Sequence, residues 1–354
     1  MGARAAGLFA LLIVVSACAV GDGVAGRPGR LASTTIPTFV DPEMSTTTST
    51  LPVDAETVIN RPETTEPPVP KSRIVIHGVG DVNLDPSYIP ALATNGYDHA
   101  WTGLDGLFAT DDLTIVNLEC AASDLGEREF KQFTFRCALD ALDDMAAAGV
   151  EVANLGNNHS QDYGTQALVD SRRNLRAVGV EPVGAGKDLG QATKPAIFDV
   201  GGWRVAVVGF GGVVPEEKWL ATTTRPGMAS GDDIPTMVAA VEAADELADL
   251  VFVTIHWGTE RDAEPRQEDI ERAHAMIDAG ADGIFGHHQH RLQGLDVYEG
   301  KPIAWGLGNF VWPRLSDVSA TTAIAEFVVE ADGTIEARLI PAFIETDGRP
   351  VITE

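Results

Sequence analysis

The stretch RIVIHGVGDVNLD, residues 73–85, runs from an apolar segment directly into polar residues, and this pattern decides the fold. Residues 73–79 are typical of a buried β-strand, and Gly80, Asp81 and Asn83 come after it. The same order recurs in DLVFVTIHWGTE, residues 249–260, and in DGIFGHHQH, residues 282–290. The repetition indicates a sheet whose strands carry functional groups at their carboxyl ends.

Strands and helices alternate along the chain after the first strand. Apolar runs predict buried strands at 73–79, 113–118, 150–155, 203–209, 249–255 and 282–286. Helical periodicity appears between several of them, at 138–148, 164–178, 234–247 and 266–279. Residues 292–345 have the pattern of successive antiparallel strands joined by turns such as Asp332-Gly333. This order predicts an α/β fold with largely parallel pairing, and we expect one folded domain over residues 73–350.

The polar residues collect where the predicted strands end. The clusters are GDVN at 80–83, Asn117 with Glu119, GNNH at 156–159, HWGTE at 256–260 and GHHQH at 286–290. Ligands bind at the carboxyl ends of strands in α/β sheets, so the five clusters are expected to meet in space. Any one cluster has a simpler explanation, since Asp81 could cap the next segment and Asn157-Asn158 could form a turn. Five clusters in phase with five strands favour a shared site.

The residue types in these clusters point to metal binding. Five of the eight histidines lie there, and imidazole, carboxylate and amide groups suit Mn, Zn or Fe. A single histidine after a strand is more often structural, but three within HHQH would repel one another when protonated. Two ions about 3.5–4 Å apart would use six or more side chains, and a bridging hydroxide would then be the nucleophile. His159, beside Asn158, is the candidate acid that protonates the leaving group.

Net charge and the first residues restrict the location and the partners. The chain has 52 acidic and 25 basic residues, and a formal charge of −27 argues against nucleic-acid binding. Residues 1–18 resemble a lipoprotein signal peptide, with an apolar run at 7–15 and the lipobox-like sequence Val15-Ser16-Ala17-Cys18. Lipidated Cys18 would anchor the protein to the outer face of the cytoplasmic membrane. The alternative is an ordinary secretory signal that ends near Ala19.

Residues 19–72 have the composition of a linker. They are rich in Thr, Pro, Ser and acidic residues and lack hydrophobic periodicity, which predicts a disordered, extended segment. Its expected role is to hold the folded domain away from the membrane.

Six motifs in order resemble a known protein family. They are GDVNLD (80–85), NLE (117–119), NNHSQDYG (157–164), HWGTE (256–260), GHHQH (286–290) and GLGNF (306–310). Together they resemble the bacterial capsule-synthesis proteins of the CapA type, which are associated with poly-γ-glutamate production. These are distant members of the calcineurin-like metallophosphoesterase superfamily. The resemblance covers about residues 73–345 and implies a four-layer αββα sandwich with a dinuclear site at its edge.

The resemblance also implies residue roles. The implied metal ligands are Asp81, Glu119, Asn158, His256, His288 and His290, with Glu119 bridging the two ions and His159 polarising or protonating substrate. Residues expected behind the ligands or along the cleft are Asn83, Asn117, Asn157, His287, Glu260 and Asn309. The sequence departs from the superfamily pattern at Asn83, where histidine is usual, and at Asn-Leu-Glu, where Gly-Asp-x-x-Asp is usual. One ion is therefore expected to be held weakly or to exchange.

Cys120 and Cys137 flank a loop next to the expected site. In an oxidising compartment a disulfide between them would close this loop. The alternative is a pair of buried free thiols.

Two functions remain open at this point. The first is an extracytoplasmic dinuclear-metal hydrolase that acts on a phosphorylated small molecule or on a linkage in an envelope polymer. The second is a non-catalytic metal-binding subunit for poly-γ-glutamate synthesis, export or anchoring, with membrane synthase subunits as its partners. Because the polymer and the protein surface are both anionic, polymer binding would have to use the metal cleft and cations such as Arg128, Lys131, Arg136 and Arg291.

Overall fold

The computed structural model describes residues 69–353. Cys18, the expected signal peptide and the expected linker up to residue 68 lie outside the described residues. The last residues assigned to the linker contact the domain: Lys71 Nζ lies 3.1 Å from Asp249 Oδ1, and the Ser72 amide donates to the Gly201 carbonyl. No helix within the described part combines the length and apolarity needed to cross a bilayer.

The strands occupy the following ranges. They are β1 (Ile74–Val82), β2 (Leu113–Leu118), β3 (Val152–Asn154), β4 (Glu181–Val183), β5 (Ala185–Gly186), β6 (Ala196–Val200), β7 (Trp203–Gly211), β8 (Gly227–Met228), β9 (Leu250–His256), β10 (Gly283–His287), β11 (Leu292–Tyr298), β12 (Lys301–Leu307), β13 (Asn309–Val311), β14 (Thr321–Val329), β15 (Ile335–Ile344) and β16 (Pro350–Ile352). All six strands predicted from apolar runs are present.

The helices lie between strands. They are α1 (Pro90–Asn95), α2 (Asp140–Ala147), α3 (Gly164–Ala177), α4 (Leu189–Ala192), α5 (Ile234–Asp245), α6 (Gln267–Asp278) and α7 (Asp317–Ala320). Short 3₁₀ segments cover Asp98–Leu104, Leu107–Ala109 and Glu217–Trp219. The four helices predicted from periodicity correspond to α2, α3, α5 and α6.

Two large sheets pack face to face. The eight-stranded sheet has the order β16-β15-β14-β1-β2-β3-β4, with β13 also paired to β1, and the six-stranded sheet has the order β11-β12-β10-β9-β7-β6. Strands β1 to β4 pair in parallel, as do β7, β9, β10 and β12, while the later strands add antiparallel edges. The phenyl rings of Phe285 and Phe327 stack 4.4 Å apart between the sheets. Gly78 permits this close approach, because a Cβ there would lie 2.1 Å from the Phe285 ring.

Helices cover the outer face of each sheet. Leu142 and Met145 of α2 and Leu168 and Leu175 of α3 belong to the apolar core outside the eight-stranded sheet. Side chains of α5 and α6, among them Met237, Val241 and Met276, belong to the core outside the six-stranded sheet. The predicted α/β class and four-layer αββα arrangement are therefore confirmed.

The first strand is longer than its apolar run. It continues to Val82, so Asp81 is part of β1 and pairs with Asn117 of β2 and Asn309 of β13. The register shifts between Gly78 and Asp81. Backbone pairing on both sides extends the strand through a polar segment that periodicity alone would exclude.

Candidate metal centre

The polar clusters meet at the carboxyl ends of the parallel strands. Nδ1 of His290 lies 3.0 Å from Oδ2 of Asp81, and Nε2 of His256 lies 3.0 Å from Oε1 of Glu119. The Oδ1 atom of Asn158 is also 3.0 Å from Nε2 of His256. Asp81 is the second-last residue of β1, while His256 is the last residue of β9, so two sheets contribute to one site. The five segments that supply the predicted ligands are brought together.

Two groups of side chains have the spacing of metal ligands. Glu119, His256 and His288 form one group, and Asp81, Glu119 and His290 form the other. Within each group the ligand atoms lie within 4.8 Å of one another. Glu119 belongs to both groups, which is the position of a bridging carboxylate.

Polar atoms without partners show that the residues fit divalent cations. Within residues 69–353, buried atoms that have no hydrogen-bond partner include both carboxylate oxygens of Glu119 and Nδ1 of His287 and His288. Buried polar groups are rarely left in this state, and a bound ion is one of the few things that satisfies them. Carboxylate oxygens and imidazole nitrogens suit Mn, Zn or Fe. The donor set therefore fits the two ions that the sequence predicts.

Burial and neighbouring charges shift the pKa values of the two carboxylates in the site. Burial, reinforced by the negative charge of Asp81, raises the pKa of Glu119 well above its usual value. Burial also raises the pKa of Asp81, but the hydrogen bond and charge of His290 outweigh it, and the net pKa is lowered. Two carboxylates without access to water thus face each other across a short distance, which a divalent cation would relieve.

The pKa values of the buried histidines shift in opposite directions. Burial lowers the pKa of His287 to about 4 and that of His288 to about 3. Burial also disfavours the charged form of His290, but its bond to Asp81 and that carboxylate's charge raise the pKa to about 9. Neutral imidazoles at His287 and His288 leave lone pairs free for coordination.

The backbone is strained at two of the histidines. His288 has a φ of 98° and His290 a φ of 51°, both in the left-handed region that side chains other than glycine rarely adopt. Such conformations concentrate at functional sites, where the surrounding structure holds them in place. Here they direct alternate histidines of GHHQH towards the two ligand groups.

Side-chain amides form a hydrogen-bond network that holds the ligand Asp81. The Asn117 amide donates to Asp81 Oδ1 at 2.9 Å, and its oxygen accepts from the amides of Asn154 and Asn157 at 3.3 Å each. Asn157 also caps the turn that carries His159, because its Oδ1 accepts from the His159 backbone amide. Sequence reasoning placed Asn117 and Asn157 near the site but missed Asn154. Its signal was a buried polar residue at the end of the apolar run 150–155.

His159 is held by a carboxylate that the sequence reasoning missed. Nδ1 of His159 lies 2.7 Å from Oδ2 of Asp162, and since an ionised carboxylate only accepts, Nδ1 carries the proton. Lys131 Nζ lies 2.6 Å from the other Asp162 oxygen. Burial, together with the positive charges of Lys131 and His290, lowers the pKa of His159, although Asp162 opposes this. The available signal was the spacing of Asp162, three residues after His159 in NNHSQD.

Asn83 and His287 lie next to the ligand groups without belonging to them. Oδ1 of Asn83 accepts from the Asp85 backbone amide at 2.9 Å, and the buried NH₂ group at its other end cannot ligate a metal. His287 has Nε2 3.0 Å from Thr254 Oγ1 and Nδ1 4.0 Å from Asp81 Oδ1. Both side chains are therefore neighbours of the ligand groups and belong to neither.

A cleft of about 330 Å³ opens beside the ligands. His159, His290, Asn309 and Glu260 line it, and Glu260 is exposed with no bond to His256. Its other walls are largely aromatic and aliphatic, with two arginines; these residues are Tyr88, Phe133, Phe135, Trp312, Leu315, Arg261 and Arg291. The two serines Ser316 and Ser319 complete the rim. The cleft can therefore admit a substrate with both apolar and anionic parts.

The loop over this cleft is tied by a covalent link. Cys120 and Cys137 form a disulfide. The loop between them carries Lys131 and Phe135, whose ring centroid lies 4.4 Å from that of His159. The link therefore holds contacts of His159 next to the ligand groups.

The remaining histidines lie outside the centre. His77 contacts Asp111 and Glu326, and His99 lies 2.7 Å from Asp347. His274 stacks on Tyr298. Their partners account for them structurally, in keeping with their absence from the sequence clusters.

Comparison with known proteins identifies the family. Residues 75–314 match the family model described as bacterial capsule synthesis protein PGA_cap. The PGA biosynthesis protein CapA of Bacillus subtilis strain 168 is 30% identical over 273 residues, which cover 74% of this chain and 70% of that protein. The capsule biosynthesis protein CapA of Bacillus anthracis is 30% identical over 283 residues, covering 77% and 67%.

Two further similarities were found. A probable polyglutamine synthesis accessory protein of Mycobacterium tuberculosis H37Rv is 35% identical over 212 residues, covering 56% of this chain and 55% of that protein. The solved structure of the Haemophilus influenzae NAD nucleotidase aligns with a TM-score of 0.48 and 15% identity, covering 80% of this chain and 60% of that chain. The family match and the two CapA relatives confirm the resemblance inferred from the six motifs: the chain belongs to the PGA_cap family of bacterial capsule synthesis proteins.

Proposed function

We propose that this protein is a metal-dependent hydrolase of the cell envelope that acts in capsule polymer synthesis. The observation that carries the proposal is the meeting of two ligand groups at the shared carboxylate of Glu119, beside a histidine held by Asp162. A purely structural role would not require unpartnered buried acids and imidazoles at the mouth of a cleft.

The two ligand groups define which residues would hold the ions. Asp81, Glu119 and His290 would hold one, and Glu119, His256, His288 and Asn158 the other. When bound, a pair of divalent ions supplies Lewis acidity and lowers the pKa of a coordinated water. The first group has fewer ligands because Asn83 presents a donor, which supports an ion that is held weakly or exchanges.

His159 is the residue proposed to move a proton. Its Nδ1–H is engaged by Asp162, so Nε2 is the atom left to exchange a proton with substrate. The side chain lines the cleft and is only 7% exposed, which limits its exchange with bulk water. Lys131 fixes Asp162 and also donates to the carbonyl of Asn158, linking the histidine to a ligand residue.

The substrate is proposed to be a phosphoester or a linkage in an envelope polymer. Arg261 and Arg291 line a cleft on a chain of strongly negative net charge, so they supply local attraction for an anionic substrate. We place the protein outside the cytoplasmic membrane, anchored through Cys18 or secreted. The signal-like residues 1–18 and a disulfide next to the site support this location.

A second function is favoured by the names of the relatives. They are called biosynthesis or accessory proteins, and none of those names mentions hydrolysis. In this second proposal the ions and the cleft bind poly-γ-glutamate, or position it for membrane synthase subunits, without turnover.

One experiment separates the two functions. The purified protein is loaded with Mn²⁺ and assayed on a bis-aryl phosphodiester and on a γ-glutamyl peptide, together with His159→Ala. The hydrolase proposal expects turnover that is lost in the variant while bound metal is retained. Absence of turnover on every substrate and metal, with normal polymer yield in cells carrying His159→Ala, would favour the non-catalytic function.

A further inference from the structure

A second pocket lies apart from the metal centre. Its volume is about 470 Å³, and it lies between α3, β4 and the segment that leads from α4 into β6. The lining residues are Arg172, Arg176, Glu181, Pro182, Gln191, Lys194, Pro195, Ala196 and Ile197. None of them lines the cleft beside the candidate metal ligands.

The pocket is basic although the chain is acidic. Three cations, Arg172, Arg176 and Lys194, line it with a single carboxylate, that of Glu181. Glu181 is already engaged, because its Oε2 lies 3.0 Å from Nε of Arg176. In a protein with twice as many acidic as basic residues, a local excess of positive charge is the opposite of what composition predicts.

Arg172 is the residue that a structural role does not explain. It is only 5% exposed, and its Nε is buried without a hydrogen-bond partner in the described part of the chain. Its one side-chain bond runs from Nη1 to the neutral amide oxygen of Gln191, and within residues 69–353 no carboxylate lies within 4.0 Å of it. Buried cations are normally paired, since an unpaired charge taken out of water is costly.

The Arg172 guanidinium stays protonated, and the acidic residues near it are engaged with other groups. Burial, with the nearby charge of Arg176, lowers the pKa of Arg172 to about 10, so the side chain stays protonated at neutral pH. The charges of Glu181 and Asp188 oppose this shift. Asp188 is engaged in another hydrogen bond, because its Oδ1 accepts from the backbone amide of Gln191 at the start of α4. Lys194 is exposed and likewise has no carboxylate within 4.0 Å in the described part of the chain.

We propose that this pocket binds an oxyanion, with Arg172 and Lys194 as the principal contacts. Arg172 supplies guanidinium N–H donors held in place by Gln191, and Lys194 supplies a mobile ammonium from the opposite element. Charge-assisted bonds of this kind recognise phosphate and carboxylate groups alike. The site does not depend on the proposed hydrolase activity, because it shares no residue with the metal centre.

Anion titration tests the proposal. The purified full chain, freed of metal by dialysis, is titrated calorimetrically with inorganic phosphate and, separately, with L-glutamate. We expect one saturable site per chain, and the anion that binds more tightly identifies the source as a phosphate or a carboxylate. Lys194→Gln should weaken this binding about tenfold, since it removes one charge-assisted contact. Arg172→Gln should abolish it.

A matched variant controls for charge. Arg173→Gln makes the same charge change on the same helix, but Arg173 pairs with Asp170 and lines a different surface pocket. It should bind the anions as tightly as the wild type. Because Lys194 is exposed, Lys194→Gln is expected to fold even if Arg172→Gln does not. Absence of saturable binding to the wild type, or equal affinity in Lys194→Gln and Arg173→Gln, would overturn the proposal.

Discussion

The carboxylate of Asp162 holds the imidazole of His159 through a 2.7 Å bond between Oδ2 and Nδ1. This bond leaves Nε2 as the only ring nitrogen that can exchange a proton in the cleft. We expect Asp162→Asn to lower kcat about 100-fold with little change in bound metal, because the amide replaces one acceptor oxygen with an NH₂ donor, whereas Lys131, the Phe135 backbone amide and Nδ1 of His159 all need an acceptor there. Steady-state kinetics and metal analysis of the same preparation measure both quantities.

Asp105→Asn is the control for that variant. Asp105 is exposed, and its backbone has a φ of 52°, in the left-handed region that asparagine tolerates. Activity of this variant should therefore be unchanged. Full activity in Asp162→Asn would show that His159 does not depend on its partner.

Glu119 should determine the retention of both ions, because it belongs to both ligand groups. After equilibration with Mn²⁺ and gel filtration, we expect Glu119→Gln to lose most of its metal, as measured by elemental analysis. Glu260→Gln, which lines the cleft but belongs to neither group, should retain it. Equal metal content in the two variants would contradict the assignment of Glu119 as a shared ligand.

Mn²⁺ should stabilise the wild type but not Glu119→Gln. Both oxygens of Glu119 are buried without a hydrogen-bond partner, so the metal-free wild type carries an unsatisfied group that typically costs about 1–3 kcal/mol. We expect metal-free Glu119→Gln to be at least as stable as the metal-free wild type, while Mn²⁺ raises the Tm of the wild type only. Thermal unfolding with and without Mn²⁺ provides the measurement, and a similar Mn²⁺-induced rise in the variant would be the contrary result.

The disulfide should contribute to both stability and activity. Cys120 and Cys137 are 17 residues apart, and closing such a loop contributes about 3 kcal/mol in the chain-entropy estimate. Replacing both by serine should lower the free energy of unfolding by about this amount and reduce kcat, because the loop carries Lys131 and Phe135 to His159. Denaturant unfolding and steady-state kinetics measure the two consequences, and non-reducing mass spectrometry of the native protein checks that the bond is present. Two alkylatable thiols at these positions in the native protein would remove the basis of this prediction.

Glu151 should make stability depend on pH. Burial raises its pKa to about 7, although the Thr114 amide donates to its carboxylate and opposes the shift. Between the ordinary value of 4.5 and about 7, the folded state binds more protons than the unfolded state. The free energy of unfolding should therefore fall as pH rises through this window.

Glu151→Gln tests this pH dependence, because the amide cannot ionise. The difference in Tm between the variant and the wild type should grow in favour of the variant from pH 5 to pH 8. Glu246→Gln, at an exposed position, should track the wild type throughout. Parallel curves for Glu151→Gln and the wild type would contradict the prediction.

The sequence predicted the strands better than it predicted where they end. Apolar runs located β2 to the residue, but β1 continues to Val82 because Asn117 and Asn309 pair with Asp81 from either side. The prediction of antiparallel strands over residues 292–345 was wrong for two of them, because β13 pairs with β1 in parallel and β12 pairs with β10 in parallel. Pairing partners of this kind leave no local periodicity.

The site residues also divide into those that the sequence predicted and those that it missed. Residues at strand ends, such as Asp81 and His256, were identified because position in the sheet follows from the apolar pattern. Asp162 and Asn154 were missed because their roles depend on contacts with His159 and Asn117 that strand position does not reveal. Asn83 stands where the superfamily usually has histidine, and its oxygen accepts from the Asp85 backbone amide, a local bond that motif comparison cannot show.

Alternation of apolar strands with helices was sufficient to predict the α/β class, and the motifs at the strand ends indicated the family, whose resemblance implied the αββα arrangement. Those features are local, because burial and secondary-structure period act over a few neighbouring residues. Tertiary structure alone decided that Asp162 supports His159 and that, within residues 69–353, no carboxylate lies within 4.0 Å of Arg172. Each of these depends on the separation of atoms from distant segments, which only the packing of two sheets and their helices specifies.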